Sequence, residues 1–127
     1  MMPKLLSYAT NEATPLERML WWHGQFRRRL EPLRVTPLQA GVLLFLRRHD
    51  EATLGEAAAA LYVRQPTLTE VVKDLVKKRW VTKQYSASDS RALCLRLSPK
   101  GALLARKIQV QMQDVESDPI STKKARQ

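Results

Sequence analysis

Cysteine is nearly missing from this 127-residue chain, since Cys94 stands alone. Without a second thiol an internal disulfide is excluded, and so is a metal centre built on several thiolates. Histidine is almost as sparse. His23 and His49 are the only two, and they fall on different predicted helices. His23 sits on an apolar stripe, which suits a core or interface residue, and His49 suits a helix end, where the dipole favours it. Four glycines, widely separated, leave no glycine-rich phosphate loop. Paired carboxylates and a nucleophile triad are absent too, so no catalytic role and no cofactor are expected. No apolar run approaches the roughly 20 residues that span a bilayer. The opening MMPKLLSYAT has one lysine, no long apolar stretch and no cleavage site, so no signal peptide is expected and a cytoplasmic compartment fits best.

Acidic charge is the other shortage. Twenty-two Lys and Arg face twelve Asp and Glu, leaving +10, and the excess is uneven. Between Leu61 and Lys107 there are eleven basic and three acidic residues, a local +8. Such a region is the footprint of a polyanion partner, through phosphate contact and counterion release. A solvated face tuned for solubility is the competing account. Hydrophobic content of 44% excludes a wholly disordered chain, and the length suits one domain.

Helix starts are written plainly. Thr14-Pro15, Thr36-Pro37 and Ser98-Pro99 each put a hydroxyl at the N-cap and a proline at the next position, where no intrahelical bond is lost. Glu17 adds a capping box to the first, and Thr53-Leu54-Gly55-Glu56 is a further box. The first helix, Pro15 to about Glu31, carries Leu16, Met19, Leu20, Trp22, His23, Phe26 and Leu30 over an arc of roughly 160°, wider than an ordinary surface stripe. Trp21 points nearly opposite. A helix this apolar is expected to touch both its own core and a second subunit, with Leu16, Met19, Leu20 and Trp22 at the contact. The second helix, Pro37 to about Arg48, turns Leu38, Val42, Phe45 and Leu46 inward.

A short alanine-rich helix, Leu54 to Leu61, is followed by the brief connection Tyr62-Val63-Arg64-Gln65. Another amphipathic helix then runs from Pro66 to about Lys78, with Gln65 held out of it by the following proline. That is a helix-turn-helix pattern. The second of the pair buries Leu68, Val71, Val72, Leu75 and Val76, and presents Glu70, Lys73, Asp74 and Lys77 outward with Thr67 and Thr69 on the flanks. Trp80 to Tyr85 reads as a strand, Ser86 to Ser90 as a polar turn, and Ala92 to Leu97 as the partner strand. Leu93, Leu95 and Leu97 share one face, Cys94 and Arg96 the other. A hairpin this small must lean on a helical core. The last helix starts at Pro99 and fades after about Val115. Residues 1–14 form an N-terminal extension, 15–116 the domain, and 117–127 an expected disordered tail.

This order, carried by VTPLQAGVLLFL, TLGEAAAALYV, QPTLTEVVKDLVKK and DSRALCLRLSPKG, resembles the winged helix-turn-helix of the multiple-antibiotic-resistance regulator (MarR) family. Asp89, Arg91, Leu97, Ser98 and Gly101 match the family's wing pattern in register. The resemblance implies a mainly α fold, with a two-stranded hairpin wing at 80–97, a helix-turn-helix at 54–78, and dimerisation helices at 15–31 and 99–116. It further implies a homodimeric repressor on double-stranded DNA, relieved by a small aromatic or anionic effector. The chain departs from the pattern at Glu70, where relatives carry neutral or basic residues, and at Arg79, where they end the reading helix with glycine.

Physical chemistry assigns roles to the same positions. Asp89 can bond turn amides or hold Arg91, whose reach onto a narrow minor groove would then be fixed in advance. Ser90 lies between them on the tip. Gln65, Thr67 and Thr69 can meet bases or phosphates, and Arg64, Lys73 and Lys77 can neutralise phosphates. Glu70 either accepts from a cytosine amino group or repels the backbone. Only 26 residues follow Gly101, so the second half of the dimer contact is expected on one stripe of Leu104, Ile108, Met112 and Val115. A winged-helix module docking an acidic partner or nonspecific nucleic acid is the alternative function. Cys94 is expected to be a free structural thiol.

Overall fold

The computed structural model describes residues 13–85 and 92–113. Helix α1 spans Pro15–Leu30, a 3-10 turn follows at Glu31–Leu33, and α2 spans Pro37–Arg48. Strand β1 is only Ala52–Thr53, α3 is Leu54–Ala60 and α4 is Gln65–Lys77. Strands β2, Val81–Tyr85, and β3, Leu93–Leu97, precede α5 at Pro99–Met112.

Side-chain capping writes most of these boundaries. Thr14, Thr36 and Thr53 each accept from the N–H three residues on, and Glu17, Gln39 and Glu56 return the bond to the cap backbone. Ser98 accepts from the Gly101 N–H. Each pair satisfies donors that a helix start otherwise leaves open.

The core lies between α2, α4, α5 and one side of the sheet. Leu30, Leu43, Leu46, Leu68, Leu75, Leu95 and Ile108 are its largest fully buried side chains. Helix α2 packs on α5, α4 on α2 and β2, and α1 across α2 and α5. Of α1 itself only Leu30 is buried, with Phe26 leaning on the core.

Three features differ from the sequence expectation. The sheet has three strands, in the order β1-β3-β2 and antiparallel throughout, rather than two. A two-residue strand has no periodicity to betray it, and Thr53 serves as both its end and the cap of α3. Helix α4 begins one residue early, so Gln65 is its first residue and Arg64, with ψ at 141°, holds the extended cap position. Trp80 is not in the strand but closes the end of α4. Cys94, expected as a structural thiol on the face away from the leucines, is buried. Its cross-strand neighbours Thr53 and Gln84 flank it on the central strand, and it is 4% exposed without a disulfide.

The N-terminal extension up to residue 12, the 86–91 turn with Asp89, Ser90 and Arg91, Val115 and the 117–127 tail lie outside the described residues.

Candidate nucleic-acid interface

The helix-turn-helix is fixed by its own backbone. After α3, the Val63 N–H donates to the Ala58 carbonyl at 2.9 Å and the Tyr62 N–H to Ala59 at 3.2 Å. These paired bonds make a Schellman closure, which requires a left-handed residue. Tyr62 supplies it at φ 56°. The chain then turns straight into α4.

The outward face of α4 carries Thr67, Glu70, Lys73 and Lys77, all exposed. Leu68, Val72 and Leu75 are buried on the other side. The two acids of this helix behave differently. Glu70 stays outside, 3.8 Å from Lys73. Asp74, expected outward, is half-buried and turned towards α2, where the Gln39 Nε2 donates to its Oδ2 at 2.6 Å and Lys78 lies 3.4 Å away. A helical wheel assigns a face but not a partner, and the partner here is a buried glutamine. Of the two acids, Glu70 is the one that stays on the outward face of α4.

Thr69 is partly committed, because its hydroxyl donates to the Gln65 carbonyl at 2.9 Å. Its methyl and its lone pairs are what remain for a ligand. The Gln65 amide bends back over the start of α3, where a Cβ on Gly55 would stand 3.1 Å from its Nε2. Arg64 is exposed and makes no side-chain cap. The start of α4 is thus the one α-helix start among the described residues without a side-chain acceptor. Such open N–H groups attract phosphate.

The far end of α4 is clamped to the wing. The Trp80 N–H donates to the Leu75 carbonyl at 3.0 Å and the Arg79 N–H to Val76 at 2.9 Å. Arg79 takes the left-handed position itself, at φ 64°, in place of the glycine. Ser98 then joins the two elements. Its hydroxyl donates to the Arg79 carbonyl at 2.7 Å and its N–H to the Trp80 carbonyl at 3.0 Å. A Cβ on Gly101 would overlap that Trp80 carbonyl. The Ser-x-x-Gly at the end of the wing is thus a backbone lock between reading helix and hairpin. Lys78 also lies over the Trp80 ring, 5.1 Å from its centroid.

The expected dimer residues within the described chain lie on α1 and α5. Leu16, Met19 and Leu20 are 51–62% exposed within the single chain, and Trp22 is half-buried. Leu104 leans on the core, whereas Ile108 is 0% and Met112 7% exposed. The last two already spend their apolar surface inside the chain. Leu103 and Val110, which the sequence reading passed over, are the exposed apolar residues of α5. His23 is exposed rather than core-facing, and the His49 ring packs on Phe45 with centroids 4.4 Å apart. Among the described residues no group of His, Cys, Asp and Glu has metal-binding geometry.

Comparison with known proteins follows the same outline. A family model described as "MarR family" matches residues 35–92. The organic hydroperoxide resistance transcriptional regulator of Bacillus subtilis is 31% identical over 83 residues, 65% of this chain and 56% of that protein. The multiple antibiotic resistance protein MarR of Salmonella typhimurium is 30% identical over 99 residues, 74% of this chain and 69% of that protein. In structure, a MarR variant from E. coli complexed with operator DNA superposes with a TM-score of 0.74 at 27% identity, covering 86% of this chain and 82% of that one. These matches, the winged helix-turn-helix just described and the Ser98–Gly101 lock agree: the chain belongs to the MarR family.

Proposed function

We propose that this protein is a DNA-binding transcriptional regulator, acting as a homodimeric repressor on a pseudo-palindromic operator. The observation that carries it is the outward face of α4, basic and uncapped at its start, locked through Arg79, Trp80 and Ser98 to the strands that lead to the wing. Two such helices would enter successive major grooves about 34–36 Å apart. Arg64, Lys73 and Lys77 meet phosphates, and Gln65, Thr67, Thr69 and Glu70 lie nearest the base edges. Asp89, Ser90 and Arg91, which lie in the sequence between the two strands, are proposed to complete the contact in the minor groove. The effector in this reading is a small aromatic or anionic molecule received beside Trp22 and Phe26, whose rings are 6.4 Å apart. The regulator works in the cytoplasm. In support, no helix among the described residues is long and apolar enough to cross a membrane.

Selection of bound sequences from random duplex DNA tests the reading. An enriched inverted repeat is expected, with log affinity falling steeply against log salt. A pool without enrichment sinks the specific regulator. The exposed Glu70 favours a second reading, a winged-helix module that docks an acidic or nonspecific partner. Competition separates the two, because a preference of about 10³-fold or more over unrelated DNA marks a specific reader.

A further inference from the structure

Tyr62 is the most exposed large hydrophobic side chain of the described residues, at 98%, and it sits in the turn of the helix-turn-helix. It also occupies the left-handed backbone region, φ 56°. Both facts are unfavourable for a tyrosine. A Cβ in that region costs about 1–2 kcal/mol relative to the right-handed alternative, and a bulky residue there is uncommon. The ring recovers nothing from the rest of the chain, since almost all of its surface faces water. Glycine would close the same turn more comfortably. The turn itself is rigid, held by the Tyr62 and Val63 N–H bonds to Ala59 and Ala58. A rigid mount thus holds an aromatic hydroxyl away from the protein, three residues before the first residue of the reading helix.

We infer that Tyr62 is a DNA-backbone contact, its phenol O–H donating to a phosphate oxygen at the edge of the groove that α4 enters. This rests on the DNA-binding reading above. The geometry of the motif places it there. The first helix of a helix-turn-helix crosses the sugar-phosphate strand while the second points its N-terminal end into the groove. The connecting turn is therefore held against the strand between them. Tyrosine hydroxyls are ordinary phosphate donors, and such contacts fix register without reading sequence. Being uncharged, the phenol displaces no counterion, which distinguishes it from Arg64, Lys73 and Lys77.

The test compares the full-length protein with its Tyr62→Phe and Tyr62→Gly variants, on an inverted-repeat duplex selected by the wild type and on a random-sequence duplex. Wild-type binding to both duplexes is the control: its absence would overturn the parent reading and the Tyr62 contact with it, whereas unchanged variant affinity overturns the contact alone. Tyr62→Phe is expected to weaken both complexes by the same factor, about 3–10-fold for one lost hydrogen bond, with the salt slope unchanged. Tyr62→Gly is expected to weaken binding further while raising Tm by a few degrees, because the backbone is relieved. A turn residue with no ligand would give the higher Tm with affinity intact. That outcome, or a loss confined to the selected sequence, overturns the assignment.

Discussion

Gly101 and Arg79 show how far single residues govern this fold. Any side chain at 101 runs into the Trp80 carbonyl, which is fixed backbone already engaged by the Ser98 N–H. Gly101→Ala is therefore expected to destabilise by at least about 3 kcal/mol, or to prevent folding, as read by thermal denaturation. Arg79→Gly should act the other way, stabilising by about 1 kcal/mol, because φ 64° suits glycine and the closing bonds are made by backbone. An unchanged Tm would show that the arginine pays no left-handed penalty. The capping boxes add a pH dependence. Hydrogen bonds from Thr14 and Thr53 to Glu17 and Glu56 hold both carboxyls below the ordinary value of 4.5. A lowered folded pKa means this contribution is complete above the ordinary value and is lost as pH falls through the lower one. The double variant Glu17→Gln, Glu56→Gln should flatten the acid limb of a Tm-against-pH curve below pH 4.5 and lower Tm slightly at neutral pH, where the carboxylates contribute in full. Both boxes were legible in the sequence because Thr and Glu stand three apart. The replacement of a family glycine by Arg79 was legible too, but only backbone angles could show that the arginine itself takes the left-handed turn.

Between elements, the link from α2 to α4 is polar and was not legible. Gln39 is 8% exposed and does two jobs: its Oε1 accepts from the Thr36 N–H at 3.0 Å, and its Nε2 donates to Asp74. The first bond closes a helix start, and the second sets the rotation of the reading helix against the core. Periodicity put Asp74 on the outer face because it locates a residue around one axis only. The pairing depends on how two helices cross, which is a tertiary fact. Gln39→Leu should cost about 2 kcal/mol in chemical denaturation, from a lost cap and a half-buried carboxylate without its donor. Asp74→Leu made on that background should recover part of the loss, since removing both polar partners is milder than removing one. Additive costs would show that the bond contributes nothing specific. Cys94 teaches the same lesson. Alternation assigned it correctly to the face opposite Leu95, yet the two-residue β1, invisible in the pattern, is what makes its strand the central one.

At the level of the whole molecule, apolar surface is unevenly spent. Helix α1 buries one residue of sixteen inside the chain and leaves Leu16, Met19 and Leu20 more than half exposed. Leu103 and Val110 on α5 are open as well. Burying a leucine-sized side chain is worth about 1.5–3 kcal/mol, so five such residues left in water point to a second copy rather than to a monomer. The wide apolar arc of α1 was readable from spacing. The division of labour on α5 was not, because Ile108 and Met112 share a stripe with the partly exposed Leu104 but face their own core. Two variants separate these roles. Leu20→Lys is expected to convert a concentration-dependent dimer to monomer in sedimentation velocity and to weaken binding to an inverted repeat far more than to a half-site. Ile108→Ala is expected to lower folding stability by about 2–5 kcal/mol through a cavity in the chain's own core. A wild-type protein that sediments at 14.6 kDa at every concentration would remove the dimer from the reading. An intact dimer in Leu20→Lys would move the contact off this face of α1, towards Leu103 and Val110.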